Sequence, residues 1–96
     1  MTAYVVAQLT VTDPEGFEAY RQAAEPIVEA YGGRFLVRGS TISSLEGNLD
    51  RPQMLLLEFP NKAAADRFYT SPEYQAIMPL RQNHSTGTVM VVEGGV

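Results

Sequence analysis

The chain predicts an α+β sandwich in which helices cover one face of a four-stranded antiparallel sheet. Three observations lead there. Stretches with a side-chain period of two alternate with stretches of helical period. Helix starts are marked by Asp13-Pro14, Asn61 and Ser71-Pro72, and Ala30-Tyr31-Gly32-Gly33 marks a stop. The resulting order, β-α-β-(β)-β-α-α-β, is that of the split βαβ motif, with a ferredoxin-like topology of βαββαβ form.

Residues 3–11 read as the first strand, with Val5, Ala7, Leu9 and Val11 beneath the helices and Tyr4, Val6, Gln8 and Thr10 on the other face. Asp13 then caps a helix with Pro14 at its first position, and Thr12 with Glu15 offers a capping box one residue earlier. Phe17, Tyr20, Ala24, Ile27, Val28 and Tyr31 form one apolar stripe. Pro26 inside that stripe predicts a kink or a split, and the stripe continues past it. The helix ends at Gly32, where the left-handed conformation needs no Cβ.

From Arg34 a strict period of two puts Phe35 and Val37 on one face and Arg34, Leu36 and Arg38 on the other. That strand runs to about Val37, Thr41 to Glu46 reads as a second short extended stretch that continues or bends it past Gly39, and Gly47 to Pro52 reads as a turn. Met54 to Phe59 is apolar on both faces, which predicts the centre of the sheet. Asn61 caps a short helix from Lys62 to Tyr69, and Ser71-Pro72 starts another with Tyr74, Ile77, Met78 and Arg81 on one side. Thr86 to Glu93 closes the sheet, and Gly94-Gly95-Val96 reads as a tail.

The 96 residues bound a single domain, and 45% hydrophobic content is too high for a disordered chain. No apolar run approaches the roughly 20 residues of a membrane helix. Met1 to Tyr4 enters a strand pattern without the regions of a signal peptide, so a cytoplasmic protein is expected. A net charge of −4 with seven scattered basic residues argues against nucleic acid as a partner. One His and no Cys argue against a structural zinc site, and no metal or other cofactor is expected. Haem is the exception such a chain allows, since one axial histidine can suffice.

A sheet covered on one face only would leave Tyr4, Val6, Leu36, Met54, Leu56, Met90 and Val92 near its bare side. A monomer rarely exposes such a patch, and a two-fold partner laying the same face against it predicts a homodimer.

Five residues carry the candidate chemistry. His84 has the one side chain whose ordinary pKa lies near neutrality, so it is a candidate base, or else a half-exposed loop histidine. Glu58 interrupts an apolar strand and is the second catalytic candidate. Arg38, Tyr69 and Arg81 are candidates for binding a small anionic or carbonyl substrate, with an arginine fork gripping its oxygens. The competing reading of Arg38 and Glu58 is a structural ion pair at strand ends. If the strand ends meet the last helix, all five residues would surround a single opening.

The runs Val11-Thr12-Asp13-Pro14-Glu15, Ala30 to Gly39, Leu45-Glu46-Gly47, Leu57-Glu58-Phe59-Pro60, Tyr69 to Tyr74, Leu80-Arg81 and Val92-Glu93-Gly94 resemble the DUF1330 family. The resemblance covers nearly the whole chain. It implies the dimeric α/β-barrel superfamily, in which two ferredoxin-like subunits join their sheets. Fold relatives there include cofactor-free monooxygenases, lactone isomerases and haem enzymes, so fold alone chooses no reaction. Two functions follow: a small metal-free enzyme of oxygenase, isomerase or degradation type, or a non-catalytic ligand-binding or structural dimer.

Overall fold

The computed structural model describes residues 1–94, so Gly95 and Val96 of the expected tail lie outside the described residues. Strand β1 (Ala3–Val11) is followed by helix α1 (Pro14–Ala30), strands β2 (Arg34–Thr41) and β3 (Gln53–Phe59), helices α2 (Lys62–Thr70) and α3 (Pro72–Gln82), and strand β4 (Ser85–Glu93). All neighbours in the sheet are antiparallel, in the order β2-β3-β1-β4. The apolar strand β3 is therefore interior, as its two-sided composition requires.

The predicted helix signals act as their chemistry dictates. Asp13 Oδ1 accepts from Glu15 N at 3.2 Å, Asn61 Oδ1 from Ala64 N at 2.8 Å and Ser71 Oγ from Tyr74 N at 3.1 Å. Helix α1 runs unbroken through Pro26. Its end is closed by Gly33 N donating to Val28 O at 2.9 Å, with Gly32 at φ 85°.

The core lies between the helices and one sheet face. Val5, Ala7, Leu9, Leu55, Leu57 and Phe59 from the sheet are buried with Phe17, Tyr20, Ala24 and Val28 of α1 and Phe68 and Tyr74 of the later helices. On the opposite face Tyr4, Val6, Met54, Leu56 and Met90 are half-buried and Val92 is exposed, and among the described residues no helix covers that face.

Two expectations need correction. Strand β2 does continue past Gly39, but only as far as Thr41, and residues 42–46 add no strand because the chain turns there. Ser44 Oγ donates to Glu46 O at 3.2 Å and to Gly47 O at 2.9 Å, local bonds that compete with ladder pairing.

The second correction concerns which way β2 faces. Phe35 pairs with Leu57 but Val37 with Leu56, and Arg38 pairs with Leu55 but Ser40 with Met54. Leu36 and Gly39 are thus extra residues in β2, two bulges in one strand. Residues directly opposed in an antiparallel pair share a face. Phe35 and Arg38 therefore lie on the helix side with Leu57 and Leu55, while Arg34 and Val37 lie on the bare side. The simple period of two had placed Arg38 with Arg34.

Candidate functional site

The bulge at Leu36 brings Arg38 under α1, whose polar flank carries Glu18, Arg21, Gln22 and Glu25 at helical spacing. Arg38 and Glu25 form an ion pair, and so do Arg21 and Glu18. Arg21 Nη1 also donates to the backbone oxygen of Arg38 at 2.8 Å, tying helix to strand. The Arg38 guanidinium sits 5.7 Å from the centroid of the Phe35 ring, a cation–π distance that follows from their shared face.

Two adjoining clefts open here. One, of about 140 Å³, is lined by Gln22, Glu25 and Phe35, and the other, of about 340 Å³, by Val11, Phe17 and Gln53; Glu18, Arg21 and Arg38 line both. Together they make a groove between α1 and the edge strand, with two cations and two carboxylates along it. The hydrogen bond from Arg21 holds the Glu18 carboxyl below its ordinary pKa, so it is a poor proton acceptor.

Of the five candidates from the sequence, only Arg38 lines this groove. Glu58 bonds Arg34 Nε at 2.9 Å on the bare side of the sheet. The cause is strand direction: β3 runs antiparallel to β2, so the end of β3 meets the start of β2, where Arg34 stands and Arg38 does not. Glu58 lies level with Tyr4, whereas His84 follows β1 past Val11, which pairs with Ser85. Seven residues of strand separate those levels, about 23 Å at the usual rise. One subunit therefore does not gather the five residues around a single opening. Tyr69 lines a separate cleft of about 280 Å³ between α2 and β4, with Val5, Val89 and Val91.

His84 is seated rather than free. Its Nδ1 lies 2.6 Å from the Leu80 backbone oxygen, which can only accept, so Nδ1 carries the proton. Its Nε2 then faces Asp13 Oδ2 at 3.7 Å, and its backbone oxygen accepts from Thr12 N at 2.9 Å. A Cβ on Gly16 would overlap the imidazole ring. Gly→Ala within a helix ordinarily stabilises by up to about 1 kcal/mol. Here Gly16→Ala is expected to destabilise instead, by about 1–3 kcal/mol, because the ring must leave its seat. Denaturant unfolding measures the loss, and the resonances of the chain's single histidine should shift; a stabilised variant with an unmoved ring would refute this packing.

Arg81 is buried against tyrosines. Tyr20 and Tyr74 share a hydrogen bond between hydroxyls at 2.8 Å, and Arg81 Nε donates to Tyr74 Oη at 3.3 Å. Burial, reinforced by the Tyr74 oxygen, pushes the Tyr20 phenol far above its ordinary range. Burial works against the Arg81 charge, but the phenol oxygens of Tyr74, Tyr20 and Tyr69 outweigh it and hold its pKa above the usual value.

The residues sequence reasoning missed are Arg21, Glu18 and Glu25. Their 3–4 spacing beside the apolar stripe was the available signal, and their relevance depends on the bulge. Among the described residues no three His, Cys, Asp or Glu side chains gather as a metal site.

The architecture has known counterparts. A protein of unknown function from Rhodopseudomonas palustris superposes with a TM-score of 0.77 at 18% identity, covering 99% of this chain and 83% of that one. SnoaB, a cofactor-independent oxygenase from Streptomyces nogalater, superposes at 0.72 and 17% identity over 99% of this chain and 94% of its own. A dimeric ferredoxin-like protein of unknown function from Jannaschia sp. CCS1 gives 0.61 at 20% identity, with both chains fully covered. No functionally curated protein matches the sequence. These likenesses establish the ferredoxin-like fold. The match to the model of the domain of unknown function DUF1330 spans residues 2–95, and the chain belongs to that family.

Proposed function

We propose that this protein is a homodimer that binds a small organic anion or carbonyl compound in the α1–β2 groove and transforms it without a metal, in an oxygenation, isomerisation or degradation step. The observation that carries the reading is Arg38, turned by a bulge into the point where two clefts join. A guanidinium there offers a planar fork of donors to a carboxylate or carbonyl oxygen. Glu25 occupies that fork and would yield it to the ligand. SnoaB supports the enzymatic part by analogy alone, as a cofactor-independent oxygenase on this fold.

Homodimerisation is supported by the uncovered apolar face centred on Val6, Leu56 and Met90, and by the dimeric Jannaschia protein. A second reading, binding without turnover, is favoured by one feature: both carboxylates in the groove are paired with arginines, which leaves no strong base there.

A thermal-shift panel of small carboxylates and carbonyl compounds, run on the protein and on Arg38→Gln, tests the site. Compounds that stabilise the wild type should bind Arg38→Gln about 10–100-fold more weakly, the usual loss for a charge-assisted bond. Equal binding to both would place the site elsewhere. Mass spectrometry of each positive compound after incubation separates turnover from binding.

A further inference from the structure

The two ion pairs along the groove at Arg38 differ in how firmly they are held. Arg21 bonds Glu18 and, through Nη1, donates to the backbone oxygen of Arg38 at 2.8 Å. Glu18 also accepts from Gln22 Nε2 at 3.4 Å. Each member of that pair has a second partner that keeps it in place. Arg38 and Glu25 have none: among the described residues, the side-chain hydrogen bond of each is the one it makes with the other. Their side chains are 51% and 37% exposed, and an ion pair so open to water is weakly held. This is the pair a ligand can open.

Opening it with an anion alone leaves a charge stranded. The ionised side chains of the groove, Arg21, Arg38, Glu18 and Glu25, balance one another. A carboxylate on the Arg38 fork deprives Glu25 of its cation and makes the groove net negative, on a chain that already carries −4. A ligand that brings its own cation gives Glu25 a new partner, so one ion pair is exchanged for two. Arg38 and Glu25 touch in the free protein, so the ligand's two charges must also lie close together. An α-amino acid, with carboxylate and ammonium on one carbon, meets that requirement.

We infer, resting on the groove as the binding site proposed above, that its ligand is an α-amino acid with an apolar side chain, its carboxylate on Arg38 and its ammonium on Glu25. The Phe35 ring, 5.7 Å from the guanidinium, keeps Arg38 in position when Glu25 turns to the ammonium. The clefts match this division. Glu25 lines only the smaller, of about 140 Å³; Val11, Pro14 and Phe17 line only the larger, of about 340 Å³; Arg38 stands at both. The charged head then sits at the junction, with the side chain running along the apolar wall of the larger cleft.

Calorimetric titration of the full chain at neutral pH and constant ionic strength compares two matched pairs, phenylalanine with hydrocinnamate and leucine with isocaproate. At least one amino acid should bind about tenfold more tightly than its deaminated partner, the effect of one added charge-assisted bond. Glu25→Gln should remove that advantage and leave the deaminated acid bound at least as well as by the wild type, because the Arg38 fork is then freed. Arg38→Gln should weaken both members of the pair. An ε-aminocaproate ligand, whose charges are far apart, should gain nothing over caproate. Deaminated acids that bind as tightly as the amino acids, and weaken in Arg38→Gln, overturn the zwitterion and leave the groove as an anion site. An advantage that survives Glu25→Gln overturns it too. So does a failure of both amino acids to bind, and the groove itself falls with them only when no carboxylate or carbonyl compound depends on Arg38.

Discussion

Phe68→Ala is expected to cost about 3–5 kcal/mol of folding stability. Phe68 is among the largest fully buried side chains, and it sits between the two halves of the core. Its ring lies 5.2 Å from Phe59, at the end of β3, and 4.5 Å from Tyr74, on α3. Truncation leaves a void that neither neighbour can fill, because Phe59 is closed in by the chain at Gly33 and Tyr74 is tied to Tyr20. For a domain with a total stability of about 5–15 kcal/mol, that is a large fraction. Denaturant unfolding should show a lower midpoint with an unchanged slope. A loss below about 1 kcal/mol would mean the aromatic run is not the joint between sheet and helices.

Leu56→Asp should separate the proposed dimer while sparing the subunit. Leu56 lies opposite Val6 and Val37 on the uncovered face, so in an isolated subunit a carboxylate there would remain hydrated. Against a second sheet it would be buried without a partner, at a cost of several kcal/mol. Sedimentation at micromolar concentration should give a dimer for the wild type and a folded monomer for the variant. A monomeric wild type would remove the dimer, and a variant that still dimerises would move the interface off this face. A stable pairing should bury about 1,200–2,000 Å².

Much of the fold was legible because its signals are local. Asp13, Asn61 and Ser71 each cap the helix that follows, and Gly32 ends α1, since one residue's chemistry suffices for each. The uncovered sheet face followed from alternation in β1, β3 and β4. The candidate site was hardly legible, because it depends on register. Arg38 reaches the groove only because Leu36 is an extra residue opposite β3, and nothing in Arg34-Phe35-Leu36-Val37-Arg38 distinguishes that from plain alternation. Grouping Glu58 with Arg38 and His84 failed for a related reason. Strand ends close in sequence order can lie at opposite ends of an antiparallel sheet, and Glu58 meets Arg34 instead.

The two bulges in β2 also make the outer strands of the subunit unlike as templates for stray chains. An added strand needs a run of evenly spaced N–H and C=O groups. On β2 that spacing is interrupted twice within eight residues, and Arg34 and Arg38 add charge. On β4 the pairing with β1 runs without interruption from Ser85 to Glu93, and the strand contains no lysine or proline. Misassembly of this chain, whether during folding or at high concentration, therefore has one favoured seam, along β4, while β2 is protected by the same irregularity that places Arg38.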